Sequence, residues 1–225
     1  MKKQQNQQNY FVGIYLKVDS AAVTVLNSRA ANAQIVERFE VQVDTEQLEE
    51  DAGKYHHLAQ SIAGGLSERN IRFVEASVAL DCSMFMQHKI HSEFTEPRRI
   101  AQTVRFDTED ALATDISDVV LAFRILSSGE QGSELAVYTA QKDQLTDILQ
   151  SLQSNGIDPV AIEPDVHCLS RLITLKRPEE TSNRPFYAVL ADERGHFIVP
   201  EAEKGDGCQY ARTFLLGKHQ PRTGF

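Results

Sequence analysis

The densest cluster of potentially reactive side chains lies in the stretch EPDVHC, which contains Glu163, Asp165, His167 and Cys168. A cysteine and a histidine can act as nucleophile and base when both side chains point at one reacting atom. Neighbours in sequence seldom do so, because catalytic pairs usually come from separate segments. Asp165 is explained without catalysis if it caps the start of a helix. We therefore predict no catalytic site in this stretch.

Two histidine pairs have the composition of metal ligands but not their spacing. His88 and His91 are three residues apart in a strand-like segment, so their side chains should point to opposite faces of a sheet. His56 and His57 are adjacent in a helical segment, about 100° apart around its axis, and no carboxylate or cysteine follows four residues later. The sequence also contains no GxSxG, HExxH or GxxxxGK[ST] pattern. We expect no metal site and no enzyme activity.

Composition restricts the class of protein further. The chain has 225 residues, 41% of them apolar, with a formal charge of -9 and a pI near 5.3. This acidic balance argues against nucleic acid or an anionic lipid surface as the main partner. Three cysteines (Cys82, Cys168 and Cys208) lie far apart without CxxC spacing, which fits a reducing compartment. Nowhere do about 18 apolar residues run together, so we expect a cytoplasmic chain without a signal peptide or membrane span of its own.

The spacing of apolar residues predicts an α/β fold. The segments FVGIYLKV, AVTVLNS and AQIVERFEVQV alternate and are rich in β-branched residues, which predicts three successive antiparallel strands. A long helix is predicted between Glu46 and Asn70, followed by a strand over Phe73–Leu80. The inward residues of that helix share helical spacing: they are Leu48, Tyr55, Leu58, Ile62 and Leu66.

The second half of the sequence predicts a strand, a helix and two further strands in succession. The segments are MFMQHKI, EPRRIAQTVRFDTEDAL, DVVLAFRIL and SELAVYTA. Pro97 should begin the helix, with Ile100, Val104 and Phe106 facing inward. A second helix over KDQLTDILQSLQSNG should end at the Asn155–Gly156 cap, before a short strand and another helix. RPEETSNRP has the composition of a linker, and FYAVLADERGHFIV reads as a hairpin.

The order of these elements resembles PilM and GspL, actin-like assembly proteins of type IV pilus and type II secretion systems. The resemblance is most specific between Phe94 and Leu172, where IEPD follows shortly after NGIDP. It implies an actin-like (ribonuclease H-like) first lobe with an inserted strand-helix-strand-strand module and a truncated or reduced second lobe. The implied divisions are a disordered tail at 1–9, the actin-like subdomain at 10–80 and 141–176, the inserted module at 81–140, and a linker with the start of the second lobe at 177–225.

This resemblance also implies where a nucleotide would bind. In ATP-binding members of the superfamily, the first hairpin turn carries an Asp, a Gly and then a Ser or Thr, which surround the phosphates and help to hold the metal. The matching positions here look like Tyr15, Lys17 and Ser20. A tyrosine cannot replace a carboxylate at Mg²⁺, and a lysine obstructs the close backbone approach that Gly permits. We expect a degenerate phosphate turn.

The second phosphate turn is expected in the hairpin of Tyr187 to Val199. Asp192 and Gly195 are present, but their spacing is one residue too long for Asp-x-Gly, and Glu193 adds a second negative charge beside the phosphates. Both turns therefore predict a protein that binds no nucleotide and needs no cofactor, as the resemblance to GspL implies.

The function implied by the resemblance is that of a scaffold joining inner-membrane components to the motor ATPase, at or near the inner membrane. The alternative is a PilM-like ATP-binding switch that controls capture of a membrane partner's N-terminal peptide. The pilus or secretion system, the exact partner, a homodimer and a membrane span beyond residue 225 are left open. Arg98, Arg99 and Arg105 form the main basic group of this module; a solvated helix face is the favoured explanation, and an acidic protein partner would dock here if one does. Asp107, Glu109 and Asp110 read as the solvated end of that helix.

Overall fold

A computed structural model describes residues 10–27, 33–43, 53–176, 187–191, 194–200 and 208–216. Over these ranges the chain forms eleven strands and four α-helices. The strands are β1 Tyr10–Leu16, β2 Ser20–Asn27, β3 Gln34–Gln42, β4 Phe73–Leu80, β5 Met86–Ser92, β6 Val119–Gly129, β7 Gly132–Gln141, β8 Pro159–Pro164, β9 Tyr187–Ala191, β10 Arg194–Pro200 and β11 Cys208–Leu215. The helices are α1 Lys54–Glu68, α2 Pro97–Glu109, α3 Lys142–Ser154 and α4 Asp165–Lys176.

Several expectations from the sequence fall outside these ranges. The tail at 1–9, Leu48 in the predicted helix, and the linker over 177–185 all lie outside the described residues. Within the described residues, no helix is long and apolar enough to cross a membrane.

The chain divides into two compact units, and neither is a continuous segment. Unit 1 consists of Met1–Met84 and Gln141–Glu163, and unit 2 of Phe85–Ala140 and Pro164–Phe225. The chain therefore passes between the units three times.

Unit 1 is built on a five-stranded sheet with the order β3-β2-β1-β4-β8. Strands β1, β2 and β3 form the predicted antiparallel meander, whereas β4 pairs with β1 in parallel, as a strand reached through a crossover helix must. Successive side chains of β1 point to opposite faces of the sheet, and every second residue from Val12 to Leu16 is buried, as the alternating sequence pattern predicts.

Helices α1 and α3 pack together in unit 1. The apolar residues of α1 recur at helical spacing and are buried, as predicted, with Ile62 fully excluded from solvent. The Gln144 side chain donates a hydrogen bond of 2.7 Å to the Tyr55 hydroxyl, which links the two helices. Helix α3 ends at Ser154 with Asn155 as its C-cap, and Gly156 adopts a φ of 76°, so the predicted cap is confirmed.

Unit 2 contains two three-stranded sheets, with the orders β5-β7-β6 and β11-β10-β9. Helix α2 contacts β5 and β6, and helix α4 contacts β10 and β11. Alternate residues of β7 belong to two separate cores: Leu135 and Val137 pack with Ile100 of α2, whereas Ala136 and Tyr138 cluster with residues of α4, β10 and β11. The middle strand of this sheet is therefore apolar on both faces.

One predicted inward residue of α2 is wrong. Pro97 begins the helix and Ile100 and Val104 are buried, but the Phe106 side chain is 74% exposed. Thr108 takes the inward position one turn after Val104, and its hydroxyl donates to the Val104 carbonyl oxygen. Phe106 is apolar, but helical geometry places it two residues from the buried position, on the outer surface.

Candidate functional site

The first candidate site is the hairpin turn that joins β1 to β2. The Lys17 backbone N–H donates to the Ser20 carbonyl oxygen at 2.8 Å and closes a two-residue loop. The Ser20 hydroxyl donates to Asp19 Oδ1 at 3.1 Å. Two of the groups that would surround a phosphate in an ATP-binding turn are thus already hydrogen-bonded within the turn.

Tyr15 is the last residue but one of β1 and bonds to a carboxylate beyond the end of β4. Its hydroxyl donates to Asp81 Oδ2. Asp81 follows β4, whose last residues pair in parallel with those of β1, and it is fully buried. The Asp81 backbone N–H donates to the Leu16 carbonyl oxygen at 2.9 Å, which fixes the carboxylate beside the tyrosine.

The Asp81 carboxylate is engaged on both oxygens. Oδ1 accepts the Ser83 backbone N–H at 3.0 Å and the Ser83 hydroxyl, while Oδ2 accepts the Tyr15 hydroxyl. The Lys17 ammonium lies 5.6 Å from the centre of the Tyr15 ring, within range of a cation–π contact. We call Tyr15, Lys17, Asp81 and Ser83 the Tyr15–Asp81 cluster. These hydrogen bonds hold the Asp81 carboxylate in one orientation beside Tyr15.

Asp81 was not among the residues singled out from the sequence. The signal for it was present, since it directly follows the apolar strand segment FVEASVAL, and polar residues at the carboxyl ends of adjacent parallel strands meet at one edge of a sheet. No local sequence pattern indicates the parallel pairing of β4 with β1, which brings together residues 66 positions apart.

The second predicted phosphate turn is described only in part. Asp192 and Glu193 lie outside the described residues, so the expectation about them stays a prediction. Gly195 lies in β10, directly between Leu190 of β9 and Phe214 of β11. A Cβ atom at Gly195 would overlap the Phe214 ring. The packing of that ring explains the glycine without any phosphate.

The three arginines proposed for docking share helix α2 but have different environments. Arg105 donates to the Ile116 carbonyl oxygen at 2.5 Å and so fastens the segment after the helix. Arg99 pairs with Glu96 at 3.1 Å and lies over the Phe94 ring. Arg98 makes no ion pair or side-chain hydrogen bond with any described residue. All three side chains are exposed, and Arg98 is the one without such a contact to a described residue.

The histidines of β5 bond to different residues of β7, as expected for opposite faces of a sheet. His88 Nε2 lies 3.0 Å from the Thr139 hydroxyl, and burial lowers the pKa of His88. His91 Nδ1 lies 2.9 Å from Glu134, which also pairs with Lys89 at 2.9 Å. The hydrogen bond from Lys89, and then that from His91, lowers the pKa of Glu134. These are cross-strand pairs of a kind that stabilises sheets.

The stretch EPDVHC contributes to the core of unit 2. Helix α4 begins at Asp165, whose carboxylate lies in the first turn, where it interacts favourably with the helix dipole. Val166 is fully buried, and the His167 ring packs 5.2 Å from that of Tyr138. Packing thus accounts for Val166 and His167.

Comparison with known proteins supports the resemblance seen in the sequence. Residues 82–173 match the family model of type II secretion system protein L. This range includes α2, the β5-β7-β6 sheet, α3 and most of α4. No curated protein matches the chain.

Three solved structures share the fold. PilM in a PilM–PilN type IV pilus biogenesis complex has a TM-score of 0.69 and 17% identity, with 91% of this chain and 61% of that chain covered. The cytoplasmic domain of EpsL, an inner-membrane component of the type II secretion system of Vibrio cholerae, has a TM-score of 0.61 and 16% identity, covering 92% of this chain and 71% of that chain. A Bacteroides thetaiotaomicron protein with an actin-like ATPase fold and unknown function has a TM-score of 0.52 and 14% identity, covering 96% and 73%. The fold is therefore α/β and actin-like, as predicted, and this chain spans less than two thirds of the length of PilM.

Proposed function

We propose that this protein is a scaffold of a type II secretion or type IV pilus assembly platform, without catalysis of its own. The match of residues 82–173 to type II secretion system protein L is the observation that carries the proposal. The fold shared with the cytoplasmic domain of EpsL and with PilM supports it, since both are parts of such machines. In this role the chain contacts inner-membrane assembly proteins and the cytoplasmic motor ATPase.

The Tyr15–Asp81 cluster supports the proposal that no nucleotide is needed. A phenol and an ammonium occupy the places where ATP-binding relatives are expected to have Asp and Gly, and the buried carboxylate nearby is bonded to Tyr15 and Ser83. These groups hold the ends of β1 and β4 together. The site thereby serves the fold of unit 1 instead of a ligand.

The scaffold role is tested by direct binding to the motor ATPase of the same organism's secretion system. We expect the purified chain to form a complex with the N-terminal region of that ATPase in sedimentation velocity, with or without Mg-ATP. The pilus motor ATPase serves as the comparison. Failure to bind either ATPase, with both proteins shown to be folded, would contradict the proposal.

A second candidate function is an ATP-dependent switch like that expected of PilM. The TM-score of 0.69 to PilM over 91% of this chain favours it. The two candidates differ in a thermal melt, because a ligand that binds only the folded state adds about 2.7 kcal/mol at a hundredfold excess over Kd. We expect no shift of the melting temperature with millimolar Mg-ATP. If a shift occurs and Lys17→Glu removes it, the switch is correct and the nucleotide lies at the first hairpin turn.

A further inference from the structure

Both faces of the β11-β10-β9 sheet carry apolar side chains. Ile198 of β10 and Ala211 of β11 belong to the core that includes Val166, so α4 covers their face. Successive residues of a strand point to opposite faces. Phe197 and Arg212, which pair with each other in the register of β10 and β11, therefore lie on the other face. We call this the outer sheet face, and its described residues are Ala188, Leu190, Gly195, Phe197, Val199, Arg212 and Phe214.

The outer sheet face departs from the usual pattern of an antiparallel sheet with one side in water. Such a sheet is apolar on the covered face and polar on the other. In β10, however, His196 is buried on the face of α4, whereas Phe197 and Val199 lie on the outer sheet face. Leu190 of β9 is 68% exposed and Phe214 of β11 is 45% exposed. A contiguous exposed apolar surface of this kind is typical of a site that binds another protein.

Gly195 determines how the Phe214 ring lies on the sheet. Gly195 pairs with Leu190 on one side and with Phe214 on the other. A Cβ atom at Gly195 would overlap the Phe214 ring, so the ring lies against the backbone of β10. The row of three residues thus forms a low apolar surface two strand spacings wide, about 10 Å. One α-helix, about 10–12 Å in diameter with its side chains, is wide enough to cover it.

The charge of the outer sheet face indicates the chemistry of the helix that fits it. Among the described residues of this face, Arg212 alone is charged, and it is exposed without an ion pair or hydrogen bond to a described residue. A complementary helix has an apolar stripe with an acidic residue at its edge, since a carboxylate forms strong hydrogen bonds with a guanidinium group. We propose that the outer sheet face binds an amphipathic helix of a partner protein, with the apolar stripe on Leu190 and Phe214 and a carboxylate on Arg212.

The test is fluorescence anisotropy with a labelled synthetic peptide of about 20 residues, which is long enough to form a helix. Its leucines recur at spacings of three and four residues, and glutamates flank them; a second peptide has lysine at each glutamate position. We expect the glutamate peptide to bind the 225-residue chain in the micromolar range, because one helix buries less area than a stable complex. It should bind about tenfold or more tightly than the lysine peptide. Arg212→Glu should reverse this preference.

Truncation of the apolar residues tests the position of the site. Leu190→Ala and Phe214→Ala should each weaken binding of the glutamate peptide about tenfold or more. The matched controls are Phe106→Ala and Arg98→Glu, which change an exposed phenylalanine and an exposed arginine on α2 of the same unit. Both controls should leave binding unchanged. Circular dichroism and thermal melts establish that each variant is folded.

Four results would overturn the proposal. The first three are no binding of the glutamate peptide, equal binding of both peptides to the wild-type chain, and equal weakening by the α2 controls. The fourth is that the chain binds no peptide but sediments with vesicles of phosphatidylcholine and phosphatidylglycerol until Phe214→Ala abolishes it, which would make this face a lipid-binding surface. None of these results bears on binding of the motor ATPase or of Mg-ATP by the wild-type chain, so the scaffold proposal is tested separately.

Discussion

At the scale of single residues, the contribution of the Tyr15 hydroxyl to the free energy of unfolding can be measured directly. It donates to the buried Asp81 carboxylate, and removing a partner of a buried polar group costs about 1–3 kcal/mol. We therefore expect Tyr15→Phe to lower the free energy of unfolding by that amount in urea denaturation followed by circular dichroism. The substitution removes one oxygen atom and leaves the ring beside the Lys17 ammonium.

Tyr187→Phe is the matched control. The Tyr187 hydroxyl is buried and has no hydrogen-bond partner among the described residues, so its removal should leave stability unchanged or increase it slightly. An equal loss of stability in both variants would show that the hydrogen bond from the Tyr15 hydroxyl to Asp81 makes no specific contribution to stability. The comparison thus separates the Asp81 bond from the general effect of deleting a phenol oxygen.

At the scale of elements, the hairpin between β6 and β7 depends on one glycine. Gly132 has a φ of 113°, a conformation unfavourable for other residues, and a Cβ atom there would overlap the Ser92 carbonyl oxygen. That oxygen belongs to the backbone of β5 and cannot rotate away as a side chain could. We expect Gly132→Ala to cost about 2–4 kcal/mol, from overpacking and left-handed strain together. Urea denaturation measures the loss.

Gly129 in the same hairpin provides the control for this prediction. A Cβ atom at Gly129 would meet no atom within 4 Å, and its φ is not in the left-handed region. Gly129→Ala should therefore change stability by a few tenths of a kcal/mol, within the range of exposed surface substitutions. A similar cost at both positions would mean that the hairpin responds to loss of any glycine, and that the contact with β5 is unimportant.

Elements with local sequence signals could be predicted, whereas contacts between distant elements could not. Pro97 and Gly156 act on the chain within a turn of themselves, so the start of α2 and the end of α3 were visible in the sequence. The bond from Tyr15 to Asp81 depends on the parallel pairing of β1 with β4, which no local pattern encodes. Phe106 is exposed although it is apolar, because apolarity alone does not determine burial.

At the scale of the whole molecule, the order of elements was recognisable while the partition into units required the structure. The sequence predicted an inserted module at 81–140, and that division stays a prediction. The structure joins Pro164–Phe225 to Phe85–Ala140, because residues of α4 and β10 pack on one face of β7. Each unit has its own buried core, which makes the energetic independence of the units a measurable property.

Ile62 probes the core of unit 1, and Ile100 probes the core that α2 forms with β5 and β7 in unit 2. Both side chains are fully excluded from solvent, Ile62 in unit 1 and Ile100 in unit 2, so truncation to alanine should cost about 2–5 kcal/mol in either case. Because the cores are separate, we expect native-state hydrogen exchange to show faster opening mainly in the unit that carries the substitution. Ile100→Ala should accelerate exchange in β5 and β7 and leave β1 and β2 protected, and Ile62→Ala should do the reverse.

Valine at each position should give the same pattern at a smaller cost of about 0.5–1.5 kcal/mol. If either alanine variant accelerates exchange equally in β1 and β7, exchange in both units occurs through global unfolding. The two units then behave as one cooperative body, and the prediction is wrong.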